Sequence, residues 1–367
     1  MPADVAEYAE LKEMFNAERF RSMAALLADA YPKFDRKKFL TLGLDGLGEL
    51  TLIQRMRRMT EAMRATLPAD YRAAIAILDQ VGPKIGHGFV SITLCDFVGV
   101  YGHDHFDDSL AALSRYTQLG SAEFAIREFI KRDHARVLAV LTAWATHENE
   151  HLRRLASEGT RPRLPWSFRL TALQADPELA WPILHQLRAD SSLYVRKSVA
   201  NHLNDISKDH PDWLFAKLKT WDAKNKHTAW IVKRALRTLI KRGDPRALAM
   251  IGASRTTAVA VDDFKLTPKR VAIGGEINFA FTLCSTANTS QRLVVDYVVH
   301  YMKKAGETSP KVFKLKEVTL AAGESLAIAK RHRLQELSTR KHHPGQHRVE
   351  IMVNGKLVAS GDFTLTR

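Results

Sequence analysis

HENEHLRRLASEGTRPRLPW, residues 147–166, is the stretch on which the reading of the whole chain turns. It reads as a basic helix that ends in a glutamate, Glu158, followed by a Gly-Thr-Arg-Pro-Arg loop and a tryptophan, Trp166. Four arginines flank the carboxylate: Arg153, Arg154, Arg161 and Arg163. A merely solvated face has no reason to gather them around one acid. Arginines of this kind grip a polyanion while the carboxylate faces a cation.

Working outward, the helix repeats. Aligning HLRRLASEG (151–159), YVRKSVANHL (194–203) and WIVKRALRTLI (230–240) superposes Leu152, Val195 and Val232, each followed by two basic residues, at spacings of 43 and 37 residues. These spacings match helix pairs of the HEAT type, in which each pair buries its apolar stripe against its neighbours. Upstream, Leu11, Met14, Phe15, Phe20, Met23, Leu26 and Leu27 recur at helical spacing. Further helices are predicted near 36–42, 48–66, 69–80, 89–101 and 107–118, with Pro68, Gly82-Pro83 and Gly102 as breaks. Downstream of Gly252 the period changes to two. EINFAFTLC (276–284), RLVVDYVVHYM (292–302), KVFKLKEVTL (311–320), ESLAIAKRHRL (324–334) and HRVEIMVNGKLVASGDFTL (347–365) read as strands, with Asn354-Gly355 as a hairpin turn and Gly274-Gly275 as a strand connection. The expected architecture is multidomain: an all-α HEAT-like-repeat superhelix over residues 1–255, then an all-β immunoglobulin-like sandwich over 256–367.

Composition bounds the partners. The chain has 367 residues and a formal charge of +15, and the strand-rich part carries 17 basic against 10 acidic residues, so both parts are basic. A field of this sign concentrates nucleic acid or an anionic membrane. No run is long and apolar enough for a membrane span or a signal peptide, so a cytoplasmic protein is expected. Cys95 and Cys284 lack metal-ligand or redox spacing, and His103/His105 and His342/His343 read as loop histidines rather than ligands, so no metal or cofactor is expected. Walker, GxSxG, HExxH and dinucleotide motifs are absent.

What remains is a set of acids in basic repeats: Glu123 in SAEFAIREFIKRD, Glu158, and Asp205 in NHLNDISKDHPDW. In the repeat alignment Glu158 matches Asn201 and Asp205 lies one turn beyond, which places Glu158 and Asp205 along one groove. Each has a structural alternative. Glu123 can sit at a helix start with Ser121 as cap, Glu158 can pair with Arg154, and Asp205 can pair with Lys208 or cap the next helix. Trp144, Trp181 and Trp230 fall at apolar helical positions and read as core, whereas Trp166 follows a proline in a polar loop and reads as a binding surface. Arg153, Arg154, Arg161, Arg163, Arg196, Lys197, Lys233, Arg234 and Arg237 are candidate phosphate contacts. A non-catalytic HEAT scaffold for nucleic acid or an acidic protein fits the same pattern, and a nuclease fits it less well because the acids form no metal motif.

EFAIREFI, SEGTRPRLPW, VRKSVANHLNDISKDHPD and IVKRALRTLIKRGDP together resemble the AlkC branch of the bacterial HEAT-like-repeat DNA glycosylases. The resemblance covers the helical part and extends to the C-terminal immunoglobulin-like domain, with one departure, Glu128 where the family pattern has proline. It implies a monomeric base-excision-repair enzyme acting on double-stranded DNA. Its reaction would be hydrolysis of the N-glycosidic bond of cationic 3-methyladenine and 3-methylcytosine without full base flipping. On the matching positions Glu158 would be the principal carboxylate, Glu123 and Asp205 its supporting acids, and Trp166 an aromatic wall near the deoxyribose.

Overall fold

The computed structural model describes residues 11–254, 257–336 and 341–367. It forms two compact units that divide between Ile231 and Val232. The described residues up to 250 are helical: α1 (Ala17–Ala30), α2 (Arg36–Leu44), α3 (Leu52–Thr66), α4 (Tyr71–Ile85), α5 (Ile92–Tyr101), α6 (Phe106–Tyr116), α7 (Glu123–Arg132) and α8 (His134–Trp144) come first. They are followed by α9 (Glu150–Gly159), α10 (Thr171–Ala175), α11 (Trp181–Gln186), α12 (Leu193–Ile206), α13 (Pro211–Leu218), α14 (Lys226–Ala235), α15 (Arg237–Lys241) and α16 (Pro245–Met250). None is long and apolar enough to cross a membrane.

Local chemistry sets the helix starts. Asn16, Asp35, Asp70, Asp133 and Asn149 each accept a hydrogen bond from a backbone N–H two or three residues on, satisfying donors that the first turn leaves unpaired. The expected break at Gly82-Pro83 is corrected: both lie inside α4, and the helix ends instead at Gly86, whose φ of +81° suits a residue without a side chain. Leu152, Val195 and Val232, the three aligned positions of the repeat, are all buried. Between α9 and α12 small residues allow close approach, with the Ser198 hydroxyl donating to the Ser157 hydroxyl at 3.0 Å. Gly159 is equally constrained, because a Cβ there would stand 2.5 Å from Cγ2 of Ile126 on α7. The core expectation for three tryptophans is also corrected: Trp144, Trp181 and Trp230 are half-buried, and Trp221, stacked on Trp181 at 5.4 Å, is the buried one.

The second unit is a sandwich. One sheet has the order β1-β3-β6 and the other β2-β8-β7-β4-β5, with β1 Val259–Thr267, β2 Arg270–Ala272, β3 Glu276–Ser285, β4 Gln291–Met302, β5 Thr308–Leu320, β6 Ser325–Arg333, β7 Gly345–Val353 and β8 Lys356–Thr366. Alternate residues of β3 (Ile277, Phe279, Phe281, Leu283) meet Leu293, Val295, Tyr297 and Val299 of β4 in its core. Asn354 and Gly355 join β7 to β8 as a two-residue turn with φ of +46° and +77°, the geometry that matches strand twist. Strand β4 is buried on both faces, and the residues from Val232 onward belong to the same unit. Ser254 accepts from and donates to the Arg292 backbone at 2.9 Å, and Lys233 pairs with Glu317 at 2.6 Å.

Candidate active site

Four pieces of the helical unit converge on one cluster of charge. Glu123 begins α7, Arg154 and Glu158 lie one turn apart on α9, Arg161 follows in the loop, and Asp205 comes from α12. Arg161 bridges two acids: its Nη1 donates to Glu158 Oε1 at 2.6 Å and its Nε to Asp205 Oδ2 at 2.9 Å. Arg154 joins the third, donating to Glu123 Oε2 while its Nη2 lies 3.7 Å from Glu158 Oε1. Lys208 reaches Asp205 Oδ1 at 3.1 Å. The groove expected for Glu158 and Asp205 is therefore a direct bridge, and Glu123 belongs to the same network. The structural alternatives coexist with it, since the Arg154 and Lys208 pairs are present. Ser121 is not the cap, however; its hydroxyl donates to Glu123 at 2.6 Å.

Electrostatics follow from burial. Glu158 is 5% exposed, and desolvation alone would push its pKa up. The nearby Arg154 and Arg161 outweigh that and hold it below the usual glutamate range, so it is a carboxylate at neutral pH. His202, on α12, packs under the cluster with Nδ1 3.0 Å from the Ser157 carbonyl oxygen. Its burial depresses its pKa to about 4, which leaves the imidazole neutral.

The loop after Arg161 carries Trp166, half-exposed and at a φ of +63°. Such a backbone is costly for a bulky residue and persists only where the surroundings fix it. Beside it is a cavity of about 170 Å³, bounded by Trp166 and Phe168, by Phe124 and Glu128 of α7, and by Arg57, which grips Asp96 at 2.8 and 2.9 Å. Glu128 sits within α7, which starts at Glu123 without interruption.

The cationic row expected for phosphates is arranged differently. Arg153 is turned onto Asp190 at 2.7 Å, Arg163 onto Asp209 at 2.6 Å, and Arg196 onto the carbonyls of Asp190 and Ser191 at 2.8 and 2.7 Å. With Arg154, Arg161 and Arg237, whose Nη1 donates to the Arg234 carbonyl at 2.8 Å, these make six of the nine candidates whose guanidinium groups serve internal partners, and the Lys233 ammonium serves Glu317. Lys197 and Arg234 are exposed, and Arg237 is partly exposed. Among the described residues no group of three His, Cys, Asp or Glu side chains converges to hold a metal ion.

Comparison with known proteins fits this arrangement. Residues 120–239, which contain the whole charge cluster, match the model of a DNA alkylation repair enzyme, and residues 260–367 match the C-terminal Ig-like domain of the uncharacterised protein YhaZ. The Bacillus subtilis protein of that name is 41% identical over 97% of this chain and 99% of its own length. The Pseudomonas fluorescens alkylpurine DNA glycosylase AlkC, solved bound to DNA containing an abasic-site analogue, is 49% identical, with a TM-score of 0.95 and 100% of each chain covered. The chain belongs to the AlkC family of DNA alkylation repair enzymes. The helical region followed by an immunoglobulin-like sandwich is the AlkC fold.

Three residues packed around the charge cluster were not singled out from the sequence. Ser198 and His202 occupy ordinary helical positions in SVANHL, and nothing in that pattern marks them as facing Ser157 and Glu158. Arg127, in EFAIREFI, is written like a surface residue yet is 0% exposed.

Proposed function

We propose that this chain is a DNA glycosylase that hydrolyses the N-glycosidic bond of cationic N3-methylated bases, 3-methyladenine and 3-methylcytosine, in duplex DNA. The observation that carries the reading is Glu158, buried yet ionised, gripped by Arg161 and neighboured by Arg154. A base that already bears positive charge is a good leaving group and needs no acid to protonate it. The barrier lies in the oxocarbenium character that develops on the sugar. A carboxylate about 4 Å away stabilises that charge by on the order of 4 kcal/mol at an intermediate dielectric. Glu158 is the principal carboxylate in this reading, with Glu123 and Asp205 supporting it and orienting the attacking water. Trp166 adds cation–π attraction of roughly 1–2 kcal/mol to the same charge.

Because activation resides in the substrate, the lesion needs no full extrusion from the helix and neutral bases are poor substrates. The Pseudomonas relative's DNA carries an analogue of the abasic site that such a reaction leaves. Residues 1–255 form the catalytic part in this reading and the basic sandwich, 256–367, an auxiliary DNA-binding part. The test is to incubate methylated duplex DNA with the purified chain, cleave abasic sites with alkali and separate the strands. Breaks at methylated positions, with free 3-methyl base released, are expected. Saturable binding without breaks would leave a HEAT-type scaffold, and breaks without free base would indicate a nuclease.

A further inference from the structure

Arg127 is among the largest side chains buried in the molecule, and its partners are main-chain oxygens rather than carboxylates. Nη1 donates to the carbonyl oxygens of Gly159 at 3.2 Å and Arg161 at 2.6 Å, and Nη2 donates to that of Phe168. The guanidinium thus holds both ends of the segment 159–168. That segment delivers Arg161 to Glu158 and Asp205 at one end and presents Trp166 near the other. The Phe168 ring lies under the same guanidinium, 5.3 Å from its centre, and the Leu170 N–H closes the loop onto the Pro162 carbonyl at 3.2 Å.

Holding a cation there has a cost. Desolvation, reinforced by the neighbouring Arg161, pulls the Arg127 pKa down to about 10. Its Nε has no hydrogen-bond partner. A well-packed apolar side chain is commonly as stabilising as a buried cation or more so. Overall stability therefore does not explain an arginine at this position. Lysine would not replace it either, because a single ammonium on a flexible stem lacks the planar fork that spans three fixed oxygens.

We propose that Arg127 is a positioning residue for the reaction: it clamps the two ends of the 159–168 loop so that Arg161 is held on Glu158 and Asp205 and Trp166 on the cavity that it shares with Phe124 and Glu128. The inference rests on the glycosylase reading for its kinetic consequence, but not for the clamp itself. Misplacing a reacting group by about 1 Å costs on the order of a hundredfold in rate. Binding of the duplex draws on many contacts and changes little.

The experiment uses the full chain and its Arg127→Met and Arg127→Lys variants, each checked for a cooperative thermal melt. Three quantities are read: single-turnover release of base from a duplex containing one 3-methylcytosine, Kd for the same duplex with a tetrahydrofuran abasic analogue, and amide hydrogen exchange over residues 159–170. The expected result for Arg127→Met is a rate lower by about tenfold or more, a Kd within about threefold of the parent, and faster exchange confined to that segment; Arg127→Lys falls between. If Arg127→Met does not fold, Arg127→Lys is read by the same criteria. A folded variant with the parental rate, rate and affinity falling together, or unchanged exchange over 159–170 would each overturn the proposal. If the parent chain itself releases no base, the glycosylase reading fails while hydrogen exchange still decides the clamp.

Discussion

Replacing Glu158 by Gln removes one charge and almost no volume, which makes it the sharpest probe of the cluster. Arg161 keeps Asp205 at 2.9 Å, and the amide oxygen can still accept from the 2.6 Å position now filled by the carboxylate. The cost in folding is therefore about 1–3 kcal/mol, that of a weakened buried hydrogen bond to a charged group. The cost in rate is larger. Of roughly 4 kcal/mol of attraction between a carboxylate and the developing sugar cation, about 3 kcal/mol surviving desolvation corresponds to more than a hundredfold. Affinity for the undamaged duplex should stay within about threefold, because the lost charge is negative and phosphates are not attracted by it. The assay is single-turnover release from a 3-methylcytosine duplex at saturating protein, with binding measured separately by fluorescence anisotropy. A Gln variant that excises at the parental rate would refute the catalytic assignment. A rate loss matched by an equal loss of affinity would refute the separation of charge stabilisation from binding.

The remaining expectations concern the surroundings. Arg161→Met takes from two buried carboxylates their nearest cation, leaving Arg154 at 3.7 Å from Glu158 and Lys208 at 3.1 Å from Asp205, and should cost about 3 kcal/mol in denaturant unfolding, whereas Arg163→Gln, which breaks a more accessible pair with Asp209, should cost about 1 kcal/mol or less. Equal losses would contradict the burial argument. The depressed Glu158 pKa keeps the active carboxylate ionised as pH falls, so the acid limb of excision should lie below the ordinary value of 4.5 and move upward in Arg161→Met; a pH–rate profile with both limbs coincident would exclude this coupling. Trp166→Ala should leave the melting temperature nearly unchanged, since the side chain is 50% exposed, while slowing excision about tenfold through loss of roughly 1–2 kcal/mol of cation–π attraction. Asp296, buried in β4, has its pKa pushed up by burial to about 6 from 3.8. Its folded form binds a proton more tightly than the unfolded chain, so ionisation between those values weakens the fold by up to about 3 kcal/mol. Asp296→Asn should accordingly raise the melting temperature at pH 7.5 and not at pH 4, and a gain equal at both would be inconsistent with that origin.

The period of the hydrophobic pattern made the helices and six of the eight strands legible. The two strands that escaped have physical reasons. β1 contains a bulge between Asp262 and Lys265, with Asp263 at a φ of +54°, which breaks the alternation. β2 has three residues and pairs in parallel with β8, so neither length nor a turn announces it. The compositional change near residue 252 is also later than the division in compactness at 231/232, because the residues after Val232 group with the strands yet read as helix whatever they pack on. The acids of the cluster stood out because they interrupt basic repeats. The geometry that joins them did not, since Arg161 meets Asp205 across 44 positions and Arg153 meets Asp190 across 37. A row of letters does not distinguish an arginine facing solvent from one folded onto a distant acid.

That inward turning has a thermodynamic signature. Were all nine basic candidates of the helical part to displace condensed ions from a duplex, the logarithm of the binding constant would fall with the logarithm of salt at a slope of about −8. Seven of them, Arg153, Arg154, Arg161, Arg163, Arg196, Lys233 and Arg237, already spend donors on the protein's own oxygens. The slope contributed by this set should then fall well short of about −8, and the complex be correspondingly more tolerant of ionic strength than a chain of charge +15 would suggest.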